Sequence, residues 1–143
     1  MSALKTVAVF CFFSFFQLSA QPSIINLEEK YPYGTILNKD NLEEYGFDVK
    51  HLIKVQKQKE AIEHANRFFL PQLASLEKSN PRQLLVPLVW LNFLFSGSQE
   101  HSSKAKSLGE LYLSIIRSHP DWINLEDQFR VMWRTAMAYR ELN

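Results

Sequence analysis

One stretch, NPRQLLVPLVWLNFLF at residues 80–95, sets the terms for the whole chain. From residue 84 to 95 only Pro87 and Asn92 interrupt leucine, valine, tryptophan and phenylalanine. No face of a helix built from this run can be left wet cheaply, because each large apolar side chain gains ~1.5–3 kcal/mol on full burial. A membrane-spanning helix needs about 20 largely apolar residues, and the run between Gln83 and Ser96 is well short of that. The run therefore predicts a central core helix that other, amphipathic helices wrap, with a re-entrant or interfacial segment as the lesser reading. Asn80 as cap, Pro81 at the first helical position and Gln83 closing a capping box mark its start. Pro87 lacks a donor and crowds the carbonyl four residues back, which predicts a kink or a fresh start there. Asn92 needs a partner wherever it is buried: a neighbouring carbonyl, a helix contact, or a role as the polar anchor of a ligand pocket.

The first twenty residues have the pattern of a cleaved export leader, with an uncleaved N-terminal anchor, and then a buried N-terminal strand or helix of a non-exported protein, as the lesser readings. Lys5 precedes the apolar stretch VAVFCFFSFF at 7–16, and Ala20 supplies a small residue for cleavage. Leu18 is larger than such a site prefers. Removing 1–20 would take away the only cysteine, Cys11, together with one of the 16 basic residues, leaving basic side chains equal in number to the 15 acidic ones. An exported chain without disulfides must be held by its core alone, and a chain of this size can bury enough surface to manage it. That points to a periplasmic or extracellular setting. Balanced charge argues against a nucleic-acid partner, which calls for a basic field.

Periodicity predicts an all-α fold, an irregular bundle of four to five helices with proline breaks around the central hydrophobic one. Three divisions follow: a leader at 1–20, an extended arm at 21–39 punctuated by Pro22, Pro32 and Gly34, and a single helical domain at 40–143. The arm is ordered if Ile24, Ile25, Leu27, Tyr31, Tyr33 and Leu37 dock on the bundle. Asp40 to Glu43 has capping-box spacing, and Gly46 is placed to end the short helix that follows. Asp48 should cap a long helix over 49–69, with Pro71 opening an offset one over 71–78. SGSQEHSS at 96–103 reads as an exposed turn cluster. The next helix puts Leu108, Leu111, Tyr112, Ile115 and Ile116 on one side, with Gly109 marking either a propensity cost or a close helix contact. Ser118-His119-Pro120 stops it. Asn124, with Asp127 three residues later, opens the last helix, whose buried stripe is expected to be Leu125, Phe129, Met132, Trp133, Ala136 and Met137.

Chemistry is harder to find. Glu60 and His64 share a helical face, but that spacing is an ordinary i,i+4 pair, and no Glu-x-x-His or His-Glu-x-x-His motif occurs. No metal and no other cofactor is expected. There is no nucleophile elbow and no glycine-rich phosphate loop, and no spacing draws Glu60, Glu63 or Glu110 towards a histidine such as His101. No catalytic residue is named. What remains is contact surface. Trp122, on the constrained His119-Pro120-Asp121-Trp122 turn, either plugs the bundle end or meets a partner. Lys50, Lys54 and Lys57, with Lys59, form a basic helix face suited to an acidic partner or a peripheral membrane contact. Trp90, Asn92 and Phe93 are candidates to line an apolar pocket. The sequence thus predicts an exported, non-catalytic protein acting through protein–protein interaction. A carrier or sensor of a small hydrophobic ligand comes second and a small hydrolase-like or lytic enzyme third. The arm offers a means of swapping between subunits, although the homo-oligomeric state is not fixed by any residue pattern.

Overall fold

A computed structural model of the chain describes residues 24–142, so the expected leader at 1–20 lies outside the described residues. Within them the fold is all-α: α1 (Leu27–Lys30), α2 (Leu42–Lys54), α3 (Gln58–His64), α4 (Leu73–Ser79), α5 (Pro81–Phe95), α6 (Ser102–Ser118) and α7 (Leu125–Leu142). Pro81 and Pro120 stand at the breaks before α5 and after α6. The helix α5 is central, packed on α2 along one side and on α6 and α7 along the other. Its Leu84, Leu88, Val89, Leu91, Leu94 and Phe95 are all buried, which is why the other helices are arranged around it. Among the described residues no helix is long and apolar enough to cross a membrane.

Several local expectations are corrected. No fresh start occurs at Pro87: α5 runs through it unbroken. Pro87 is buried against Gly46 of α2, where an added Cβ would lie 2.7 Å from the proline nitrogen. One lost hydrogen bond is tolerated because packing on several sides holds the helix. That close crossing explains Gly46, which sits inside α2 and does not end a helix. Neither capping box forms. Asn80 accepts from the Ser79 hydroxyl at 2.9 Å, and the Asn41 side chain turns back to accept from Asn38 N at 2.8 Å. Asp48 is not a cap either but a buried residue within α2.

The long helix expected over 49–69 is broken earlier, at 55–57, where Gln56 takes a left-handed φ of 60°. Pro71 makes a smaller disturbance than its chemistry suggests. The chain stays helical from α3 through a π turn (Ala65–Phe69) and a 3-10 turn (Leu70–Gln72) into α4. The wider turn takes up the misfit before the proline. The arm is not simply extended: it contains α1, and Leu27, Tyr31 and Leu37 are buried in the core. Gln72 clips it down, donating to Thr35 O at 3.2 Å and accepting from Leu37 N at 2.9 Å.

The largest correction concerns α7. Leu125, Phe129, Met132, Trp133, Ala136 and Met137 do not face the core; all six are exposed. The buried residues are Val131, Thr135 and Ala138.

Candidate functional site

The inversion of α7 follows from what lies beneath it. Asn124 does cap the helix, accepting from Asp127 N at 3.1 Å. On the side facing α5, Arg134 lays its guanidinium 3.9 Å from the Phe93 ring centre, and Arg130 sits 5.6 Å from that of Trp90. Lys50 from α2 covers Trp90 at 4.7 Å. These half-buried rings are thus roofed by cations whose stems supply apolar cover and whose charges favour the ring faces. On the side facing α6 the approach is close. A Cβ on Gly109 would overlap the Thr135 hydroxyl and come within 2.9 Å of Asn92 Nδ2. Only small residues fit there, so Val131, Thr135 and Ala138 take the inside and the bulky ones are left outside.

The outer face of α7 is consequently a large apolar surface. Leu125 is 79 % exposed, Phe129 69 %, Trp133 60 % and Met132 51 %. Beside it, a groove of about 470 Å³ between α6 and α7 is lined by Leu113, Ile116, Pro120, Ile123 and Met132 among others. The flank of the helix carries charge: Arg130 pairs with the exposed Glu126 at 2.6 Å and with the half-buried Asp127 at 3.6 Å. Burial raises the Asp127 pKa above the usual carboxylate value, and the charge of Arg130 opposes that shift. In α6, burial pushes the Tyr112 hydroxyl up to about 12, with the nearby Asp127 charge adding to the effect.

The residues singled out by sequence do not form one site. Trp90 and Phe93 lie under the cation roof. Asn92 is buried and donates to Ala105 O at 2.8 Å and Thr135 Oγ1 at 3.3 Å, joining α5 to α6 and α7. Trp122 is half-buried, stacked on His119 at 3.7 Å with Arg82 5.8 Å from its ring centre. Lys54 and Lys57 are exposed, whereas Lys50 is turned onto Trp90, so the basic face is narrower than its sequence suggests.

His64 is engaged at both ring nitrogens. A carbonyl can only accept, so Nε2 donates to Tyr31 O at 3.0 Å, and Nδ1 accepts from the Tyr45 hydroxyl at 3.2 Å. That leaves it no lone pair for a metal shared with Glu60. Nearby, the Tyr31 hydroxyl donates to Asp48 at 2.6 Å, and Lys30 bridges Asp48 and Glu44 at 2.8 Å each. Burial lowers the Lys30 pKa, but bonds to these two carboxylates outweigh it and leave the pKa raised. Among the described residues no group of three or more histidine, cysteine or acidic side chains is placed to hold a metal. Glu110 accepts from the Tyr139 hydroxyl, and His101 rests edge-on against Phe95.

Sequence reasoning missed the outer α7 face as a surface. The available signal was an excess: α7 carries apolar residues on two opposite sides, more than one buried stripe can use. Against known proteins, no family model, no curated protein and no solved structure matches this chain.

Proposed function

We propose that this is an exported, non-catalytic helical protein that works by docking another protein chain on the outer face of α7. The observation that carries the reading is the exposure of Leu125, Phe129, Met132 and Trp133 along one helix face, beside a groove that continues the apolar surface. Contiguous apolar surface of more than a few hundred Å² is uncommon on a lone monomer and marks interaction sites. Tryptophan, phenylalanine and methionine are enriched where proteins meet. Export is supported by the basic start, apolar stretch and small residue at 1–20.

A photo-crosslinking amino acid at position 133, activated in the native host, should give a discrete adduct to a protein chain. An adduct confined to lipid, or none, overturns the docking half of the reading. N-terminal sequencing of the chain recovered outside the cytoplasm should begin near Gln21. A chain retained inside the cell with its first residues intact overturns the export half.

A further inference from the structure

The geometry points to a second copy of this chain as the occupant of the α7 face, paired antiparallel through a seam that is its own complement. This rests on the reading of that face as a protein-docking surface and adds the identity of its partner. Positions separated by three or four residues line one side of a helix. Along the exposed side of α7 such a row is formed by Glu126, Phe129, Trp133, Met137 and Arg140. The steps between them run three, four, four, three, so the row reads the same from either end, with Trp133 at its centre. A two-fold axis through Trp133 brings each residue opposite its counterpart in a second copy. Phe129 meets Met137, Trp133 meets itself, and Glu126 at one end meets Arg140 at the other. Isologous contacts of this kind close after two subunits and do not propagate.

Charge favours this occupant. Arg140 has no ion-pair partner among the described residues. Glu126 already accepts from Arg130, yet its side chain is 74 % exposed, leaving room for a second guanidinium. An anionic lipid surface fits less well. It calls for basic residues along the polar flank of an amphipathic helix, whereas Arg130 and Arg134 are turned inward over Trp90 and Phe93 and a carboxylate stands in the seam itself. The centre of the seam is aromatic: Phe129 and Trp133, 69 % and 60 % exposed, are rings of roughly 150–250 Å² each.

Sedimentation of the purified full chain over a concentration series tests the pairing, with Glu126→Arg, Arg140→Glu and the double variant run alongside. Circular dichroism checks that each keeps its helix content. The expected result is a dimer for the unaltered chain. Each single reversal sets two like-charge contacts in the dimer and weakens it by about tenfold or more. The double reversal restores pairing, because opposite charges then face each other again across the seam with their signs exchanged. Trp133→Glu, which sets two carboxylates together at the axis, should be monomeric. A double variant as weak as the singles overturns the antiparallel seam. An unaltered chain that stays monomeric throughout overturns self-pairing. If the position-133 crosslinker then captures a different protein, the docking reading survives without this partner. If the monomer captures none, or binds phosphatidylglycerol vesicles through this face in place of protein, both fail.

Discussion

Both nitrogens of His64 are committed to the Tyr31 carbonyl and the Tyr45 hydroxyl, and the ring is almost wholly buried. Burial lowers its pKa below the ordinary 6.5, while the bond to Tyr31 O and the charge of Glu28 oppose the shift. Between that lowered value and 6.5 the unfolded chain binds the proton and the folded chain does not, so stability rises with pH across this window. The contribution is complete above 6.5 and is lost as pH falls through the window, at up to ~1.4 kcal/mol per pH unit. Urea midpoints measured from pH 7 down to 5 should fall more steeply for the unaltered chain than for His64→Gln, which cannot titrate. Equal slopes would show that the buried imidazole contributes nothing. None of this was legible beforehand. The sequence offered His64 only its neighbour Glu60, and its true partners lie many residues earlier in an arm without periodicity and in α2. Gly109 was partly legible: a glycine in an otherwise sound amphipathic helix left a propensity cost or a close contact open, and the structure shows the close contact. Gly109→Ala should lower stability by roughly 1–3 kcal/mol through overpacking against Thr135 and Asn92, measured by denaturant titration. A stabilised variant would mean that helix propensity governs this position.

At the scale of helices, α5 and α7 show what periodicity can and cannot decide. The central position of α5 was readable because a helix apolar on every side has only one place to go. The orientation of α7 was not, because it has two apolar sides and the choice depends on its neighbours. Gly109 admits only small residues, and Trp90 with Phe93 draws Arg130 and Arg134 inward. Had α6 carried a larger residue at 109, the bulky stripe would have had less reason to face outward. In dilute protein, Val131→Ala should cost roughly 1.5–3 kcal/mol, because Val131 is fully buried. Phe129→Ser should stay within about 0.5 kcal/mol, as surface changes do. Chemical denaturation of the two variants gives the comparison directly, and a larger loss for Phe129→Ser would mean that α7 is rotated.

For the whole molecule, stability should depend on concentration. A partner that binds only the folded chain raises the melting temperature by mass action. Differential scanning calorimetry should therefore show Tm rising with protein concentration for the unaltered chain and remaining constant for Trp133→Glu. A constant Tm in both would argue against self-pairing. At this scale the sequence was most informative about class and least about surface. A strongly apolar central run, helical spacing and proline punctuation were enough for an all-α bundle. Which faces stay open depends on residues far apart in the chain, and no local pattern records that.

The placement of α5 also has a consequence for the order in which the chain acquires structure. Its partner α2 precedes it, while α6 and α7 follow it, so α2 gains its main helix neighbour only once α5 has emerged. Short helices without tertiary support are marginal in water, and a polypeptide grows from its N-terminus at about 5–20 residues per second. Until then the arm and α2 to α4 have only one another to pack on, through rings such as Tyr31, Tyr45, His64 and Phe68. A chain built in this order cannot complete its core until its second half has been made.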